Sequence, residues 1–203
     1  MQITDIKQQV KTQGRYSIYV DGKFVFGLSE LALMNSGLRI GLELTGEELD
    51  ALKSDARVDK AYSQALGQVA RRPRSEWEMR EYLRRKEYDP ELVQQIVDRL
   101  YEGNWLSDLE FARRWVENRR LLKSTSKRRL QQELKAKRVS DQVIDEVLRD
   151  DETDDRSVLA DLVARKRTQS RYQDPQKLMA YLMRQGYNYG DVKDAMADMD
   201  EAA

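Results

Sequence analysis

The chain has 203 residues, and its 36 basic and 36 acidic side chains sum to a net charge of zero. It contains no His and no Cys, which excludes imidazole-based and thiolate-based catalysis, the usual structural zinc sites and disulfide-stapled secreted folds. No apolar run approaches the roughly 20 residues that span a bilayer, and the N-terminus lacks the apolar core of a signal peptide. We therefore expect a cytoplasmic protein that has no membrane partner. For an enzyme, only carboxylate chemistry with a hard metal such as magnesium would remain. Our expectation is that the chain is not an enzyme and needs no cofactor or metal.

Residues 1–56 are predicted to contain a small β-hairpin. The runs Tyr16–Val20 and Lys23–Phe26 are rich in β-branched and aromatic residues, and Asp21-Gly22 lies between them. This is the strongest short signal for a hairpin, because a type I′ turn needs positive φ at both central residues. Residues 2–10 fit either a third strand or a helix.

Two short helices are predicted to follow the hairpin. Ser29 is expected to cap a helix that extends through Asn35 and ends at Gly37. The capping box from Thr45 to Glu48 predicts the start of another helix, with a break allowed near Ser54.

From about residue 57 onward every segment is predicted to be helical. Polar residues suited to capping precede each apolar run, at Ser75, Asp89-Pro90, Ser107 and Asp174-Pro175. The apolar positions also repeat, first after 51 residues and then after 48: Met79, Leu83 and Tyr88 align with Leu130, Leu134 and Val139, and these with Leu178, Leu182 and Tyr187.

This period predicts a mainly α fold, an elongated array of three tandem three-helix repeats that follows the hairpin-containing segment. The expected repeats cover residues 57–106, 107–153 and 154–203. Their first helices are predicted at about 59–71, 108–121 and 155–167.

The zero net charge is an average over unlike parts. Residues 1–56 carry 6 basic and 8 acidic side chains, residues 57–138 carry 21 and 13, and residues 139–203 carry 9 and 15, so the sums are −2, +8 and −6. The contrast peaks at 111–138, where 11 basic residues accompany only Glu117 and Glu133. Such asymmetry indicates a polyanionic or acidic partner.

The chain resembles the RecX family, bacterial modulators of the RecA recombinase, over about residues 62–199. The most specific stretch is Leu106-Ser107-Asp108-Leu109-Glu110-Phe111-Ala112-Arg113, and Lys127-Arg128-Arg129-Leu130-Gln131-Gln132-Glu133-Leu134 resembles the basic helix of the family. Lys123-Ser124-Thr125-Ser126 departs from the glycine-containing turn of many relatives. The resemblance implies a monomer that binds RecA–DNA filaments along the helical groove and inhibits ATP hydrolysis, strand exchange and filament growth, and so modulates recombination, DNA repair and the SOS response. Its partners would be the RecA filament and single- and double-stranded DNA.

The candidate contact residues lie on two helices of the second repeat, residues 107–153, which we call the basic repeat. We expect a basic face for RecA and DNA made of Arg113, Arg114, Arg120, Lys123, Lys127, Arg128, Arg129 and Lys135, although a solvated surface is the alternative for any single member. Helical spacing assigns Phe111, Trp115, Leu130 and Leu134 to the core, and it places Leu122 in the same apolar arc. Arg119 points into that arc, where either a snorkelling head or a structural ion pair is expected.

Two further features are open to more than one interpretation. Trp77 lies opposite the apolar side of its helix, where it either contacts a partner or packs against the preceding helix. The acidic run at 150–155 either joins two repeats and caps a helix or, in a metal-dependent hydrolase, binds a metal ion. The basic repeat also fits a nucleic-acid-binding protein that acts without RecA.

Overall fold

The computed structural model describes residues 1–201. Within this range it has three strands, β1 Ile3–Gln8, β2 Arg15–Val20 and β3 Lys23–Ser29. The helices are α1 Glu30–Ser36, α2 Gly46–Val69, α3 Glu76–Arg84, α4 Pro90–Glu102, α5 Asp108–Lys123, α6 Lys127–Ala136, α7 Asp141–Asp150, α8 Asp155–Arg167, α9 Pro175–Arg184 and α10 Tyr189–Glu201, with a short 3-10 turn at Ser170–Tyr172. The chain divides into two units, one formed by residues 1–72 and 79–106, the other by residues 73–78 and those from 107 onward.

The predicted hairpin is confirmed, and β1 completes an antiparallel sheet in the order β1-β2-β3. Asp21 and Gly22 have φ values of 47° and 78°, as the turn requires. Ile3 and Ile18 are fully buried on the inner face of the sheet. The structure therefore selects the strand over the helix for the first segment.

The capping predictions of the first unit are also confirmed. The Ser29 side chain caps α1, which ends at Gly37 in the left-handed conformation, and the capping box of Thr45 and Glu48 begins α2. The break near Ser54 is absent, because α2 runs without interruption for 24 residues. Its Ala56 packs with the sheet, and Ala61 packs with α3 and α4, so one helix serves both cores.

Each repeat has its own apolar core at the positions that the sequence period predicts. Met79 and Leu83, Leu130 and Leu134, and Leu178 and Leu182 are all at most 1 % exposed. They belong to three separate clusters, formed by α2–α4, α5–α7 and α8–α10. The three-helix repeat is thus the structural unit of the helical part.

The second helix of every repeat ends in the same way. Glu87, Arg138 and Gly186 follow α3, α6 and α9, and all have positive φ, of 61°, 58° and 96°. Two of the three are not glycine, so the chain adopts this left-handed turn at a conformational cost. The repeat period therefore extends to the backbone of the links.

Candidate nucleic-acid interface

The predicted basic residues divide into three groups in the structure. The first consists of exposed side chains that have no ion-pair partner among the described residues, namely Arg114, Lys123 and Arg128. Arg114 and Lys123 lie on α5, and Arg128 lies in the first turn of α6. Their charges are available to a partner without breaking an existing pair.

The second group is exposed but paired. Arg113 lies 3.3 Å from Glu146 and 3.4 Å from Glu110, Arg129 lies 3.4 Å from Glu133, and Lys135 lies 2.9 Å from Asp141. Solvent-exposed pairs of this kind contribute about 0–1 kcal/mol. A phosphate could therefore replace the carboxylate partners at small cost.

The third group consists of Arg120 and Lys127, which are turned inward. Arg120 does not lie on the solvated face where the sequence places it. Its side chain is only 10 % exposed and donates to Asp151 at 2.7 Å and to the Thr125 carbonyl at 2.6 Å, while Asp155 lies 2.8 Å away. Burial opposes its charged form, but the hydrogen bonds to Asp151 and Asp155 outweigh burial and raise the pKa of Arg120. Arg120 is therefore an internal clamp between α5 and the acidic run.

Lys127 is also turned inward. Its ammonium donates to the Asp151 carbonyl at 2.5 Å, and its backbone amide donates to the Asp155 carboxylate at 2.9 Å. Lys127 is half-buried and its ammonium is bound to the backbone of the acidic run, so it does not belong to the exposed, unpaired cations.

An aromatic cluster fixes the orientation of α5 on α6. The Trp115 ring packs against Phe111 at a centroid distance of 5.6 Å, and its indole N–H donates to Glu133 at 2.9 Å. Arg119 forms the structural ion pair that was one of its two alternatives, 2.6 Å from Glu133, and covers the indole ring. Leu122 is the exception to the predicted apolar arc, since it is 77 % exposed.

Trp77 is half-exposed at 37 % and belongs to none of the core clusters of the described residues. Its position on the first turn of α3 leaves a large apolar surface in contact with solvent.

The acidic run joins two repeats and caps a helix. The Asp154 carboxylate accepts hydrogen bonds from the amides of Arg156 and Ser157 and so caps α8, while Asp151 and Asp155 hold Arg120. Burial opposes the charged form of Asp151, but hydrogen bonds from Thr153 and Arg120 lower the pKa of its carboxyl. Among residues 1–201 the structure shows no group of three or more acidic side chains arranged to hold a metal ion.

The segment before α3 makes two buried contacts within the second unit. The Ser75 hydroxyl donates to the Lys137 carbonyl at 3.1 Å and accepts the Glu78 amide, and the Glu76 amide donates to Asp108 at 2.7 Å. Burial raises the pKa of Asp108 despite the hydrogen bond that it accepts from Glu76. We call this set of residues the first joint. It is completed by an ion pair of 2.6 Å between Lys137 and Glu78.

The same two contacts recur before α6, at positions that follow those of the first joint by 47 to 51 residues. The Ser126 hydroxyl donates to the Gln185 carbonyl at 3.1 Å and accepts the Arg129 amide, and the Lys127 amide donates to Asp155. Ser75 and Ser126 are 0 % and 2 % exposed. We call this second set the second joint.

A groove of about 500 Å³ lies beside the second joint. It is lined by Arg128, Arg129, Gln132, Arg184, Asn188 and Tyr189. Arg184 and Tyr189 lie outside the residues predicted from the sequence. For Arg184 the reason is that the charge of −6 for residues 139–203 hides a local excess of basic residues. Between 165 and 186, Asp174 is the one acid beside six bases, Arg165, Lys166, Arg167, Arg171, Lys177 and Arg184.

No helix within residues 1–201 combines the length and the apolar character that crossing a membrane requires.

Comparison with protein families finds matches over three segments of the chain. Residues 1–45 match the regulatory protein RecX N-terminal domain, residues 61–100 match the first three-helix domain of RecX, and residues 107–148 match its second three-helix domain.

Curated relatives carry the same description. The regulatory protein RecX of Listeria innocua is 33 % identical over 150 residues, which cover 73 % of this chain and 55 % of the relative. That of Listeria monocytogenes serotype 4b strain F2365 is 30 % identical over 196 residues, 92 % of this chain and 71 % of the relative. The chain thus matches about half of the length of the first relative and more of the second.

Two crystal structures are similar in fold. A structure of regulatory protein RecX superposes with a TM-score of 0.68 at 25 % identity and covers 95 % of this chain and 98 % of its own. RecX from Lactobacillus salivarius superposes with a TM-score of 0.59 at 17 % identity, covering 70 % of this chain and 96 % of its own.

Proposed function

Because the chain belongs to the RecX family, we propose that it regulates the RecA recombinase by binding RecA–DNA filaments along their helical groove. Binding would inhibit ATP hydrolysis, strand exchange and filament growth. The observation that carries the proposal is the group of exposed, unpaired cations on α5 and α6, Arg114, Lys123 and Arg128. Cations that are free of intramolecular partners bind phosphates and acidic side chains at the lowest cost.

An apolar patch beside these cations supports a filament over DNA alone. Leu121 and Leu122, at the end of α5, are 74 % and 77 % exposed and adjoin Lys123. A neighbouring pair of exposed leucines is typical of a protein contact, since a phosphate backbone offers little apolar surface. A RecA–DNA filament presents both protein and phosphate, which fits a mixed apolar and basic patch.

Contacts within the second unit fix the two helices, α5 and α6, that carry these side chains. The Glu133 carboxylate accepts from Trp115 and Arg119, and Arg120 ties the end of α5 to the acidic run. A partner would therefore meet helices that are already held in position, which lowers the entropy lost on binding. Inhibition of this kind needs occupancy of the filament and no chemistry by the chain.

A titration of RecA ATPase activity on single-stranded DNA tests the proposal. We expect this protein to slow ATP turnover at substoichiometric ratios to RecA. The variant carrying Arg114→Gln, Lys123→Gln and Arg128→Gln should need a several-fold higher concentration for the same inhibition. Arg149→Gln, an exposed arginine of α7 without an ion-pair partner in the described structure, is the matched control and should inhibit like the parent protein. Unchanged turnover at a stoichiometric ratio would contradict the proposal.

The alternative is a nucleic-acid-binding protein that acts without RecA, motivated by the same basic segment. Comparable affinity for naked DNA and for the filament would favour this alternative. Binding that loses most of its affinity when Leu121 and Leu122 are replaced by Ser, but only on filaments, would favour the first proposal.

A further inference from the structure

We propose that the groove beside the second joint binds single-stranded nucleic acid, with its arginines on the phosphates and the Tyr189 ring stacked on a base. Its wall is formed by α6 on one side and by the end of α9 and the start of α10 on the other. The inference rests on the proposed function only in giving the chain a nucleic-acid partner, and its test needs no RecA.

The charge of the groove is positive and largely unpaired. Arg128 and Arg184 are exposed and have no ion-pair partner among the described residues, and Arg129 makes only a long contact of 3.4 Å with Glu133. Three guanidinium groups line a volume of about 500 Å³, and each offers paired donors that suit phosphate oxygens.

The positive surface continues beyond the groove. Arg184 also lines a second depression of about 390 Å³, together with Arg171, Lys177 and one acid, Asp174. Lys177 has one contact, 3.7 Å from Asp174, and is exposed. A strand that leaves the groove past Arg184 would therefore meet further cations, as a polyphosphate backbone requires and a single phosphate does not.

The first joint shows why this site is found at the second joint. Glu78 at the first joint corresponds to Arg129 at the second after 51 residues, and Lys137 corresponds to Gln185 after 48. The 2.6 Å ion pair that completes the first joint therefore has no counterpart at the second, where an arginine remains on the outer side. The two joints share their buried contacts but differ in the charge that they offer to a partner.

The aromatic ring selects single strands. Tyr189 is 56 % exposed and lines the groove, and Met183 beside it is 47 % exposed. Unpaired bases stack on such rings with a gain of about 1–3 kcal/mol per base, independent of sequence. Bases in a duplex are already stacked and offer the ring no free face, so a duplex would use only the arginines.

The floor of the groove is preformed. Gly186 has a φ of +96°, and a side chain there would lie 2.4 Å from the Arg129 Cβ and from the Ser126 hydroxyl, so the two walls are in close contact. The buried Tyr187 hydroxyl donates to the Ser124 carbonyl at 3.0 Å. The backbone segments that carry Arg129 and Tyr189 are therefore held against each other before a ligand binds.

Fluorescence anisotropy with a labelled single-stranded oligothymidylate, measured over a series of salt concentrations on the full chain, tests the proposal. Arg184→Gln should weaken binding about 3-fold to 10-fold and reduce the slope of log affinity against log salt by about 0.7, the value of one phosphate contact in a single strand. Tyr189→Leu should weaken binding about 5-fold or more and leave the slope unchanged, because stacking releases no counterions.

Two controls accompany these variants. Tyr189→Phe keeps the ring and should bind like the parent chain. Arg149→Gln removes the same charge from an exposed position on α7 that does not line the groove, and its affinity should stay within about 2-fold of the parent.

Three results would overturn the proposal: parental affinity of both Arg184→Gln and Tyr189→Leu, equal affinity for a blunt duplex that does not respond to Tyr189→Leu, or displacement of the oligonucleotide by polyglutamate at equal charge concentration. The last result would assign the groove to an acidic protein segment. None of them bears on the RecA titration, so the two proposals fail separately.

Discussion

The first and second joints have the same buried contacts but differ in the charge on their outer side. In both, a buried serine caps a helix and donates to the carbonyl at the end of another, while an aspartate that begins a helix accepts the next amide. At the first joint Glu78 and Lys137 neutralise each other, and at the second Arg129 faces a groove. A repeat can therefore keep its buried contacts and still vary its surface. The buried contacts use a serine hydroxyl, an aspartate and backbone groups, whereas the outer charge depends on other side chains.

The second joint is also next to a buried cluster of charged side chains. The second joint is reinforced by Arg120, which is 10 % exposed and bound to Asp151, Asp155 and the Thr125 carbonyl. Removing one partner of a buried ion pair leaves the other charge uncompensated and costs about 3–5 kcal/mol. We expect Arg120→Ala to lower the free energy of unfolding by about this amount, measured by urea denaturation at neutral pH.

The matched control is Arg114→Ala, one helix turn and a half earlier on α5, which should change the free energy of unfolding by less than about 0.5 kcal/mol. Equal effects of the two variants would show that Arg120 is not a clamp.

The pH dependence of the free energy of unfolding provides a second test of the clamp. The folded pKa of Asp151 lies below its ordinary value of 3.8, so the stability that it contributes is present above that value and is lost as the pH falls through the folded pKa. The loss in acid should be shallower in Arg120→Ala.

The close contact at the second joint can be broken without changing any charge. Gly186→Ala would place a methyl group 2.4 Å from the Arg129 Cβ, at a φ that L residues rarely adopt. We expect a loss of about 2–3 kcal/mol in the free energy of unfolding, with the oligonucleotide affinity reduced because Arg129 moves. Arg138→Gly, at the equivalent position of the first joint, should change stability by less than about 1 kcal/mol, since relief at φ 58° offsets the entropy of glycine. A larger loss for Arg138→Gly than for Gly186→Ala would contradict the comparison.

The smallest effect is expected from the ion pair of the first joint. The side chains of Glu78 and Lys137 are 9 % and 27 % exposed, between a surface pair and a buried one. A double-mutant cycle with Glu78→Gln and Lys137→Gln should give a coupling energy of about 1 kcal/mol, measured by urea denaturation. The corresponding cycle at Arg129 and Gln185 should give no coupling within error, because no ion pair links that pair of residues.

Local sequence signals predict the elements of this chain well. Turn geometry predicts the hairpin at Asp21-Gly22, and capping predicts the helix starts at Ser29, Asp89 and Asp174. Helical spacing predicts the three apolar cores. All three signals depend on neighbours within a few residues. The break predicted near the polar Ser54 is absent from α2. The buried Ala56 and Ala61 continue the helical spacing past this residue, so the helix has no reason to end there.

The site was less predictable, because charge along the sequence does not say which cations are paired. Arg113, Arg114 and Arg120 lie within eight residues on one helix, yet one is paired at the surface, one is free and one is buried. Arg184 was not predicted because the summed charge of residues 139–203 is negative, although the shorter stretch from 165 to 186 is basic.

By itself the sequence determined the three-helix repeat, its period and its cores, since apolar residues at helical spacing have one way to leave water. Only the tertiary structure decided which charged side chains form ion pairs with each other and which remain exposed. Ion pairs such as those of Arg120 and Glu78 join residues 31 and 59 positions apart, Arg120 with Asp151 and Glu78 with Lys137. Which cations remain for a partner is therefore set by how the repeats pack, and this packing leaves Arg128 and Arg184 free beside the second joint.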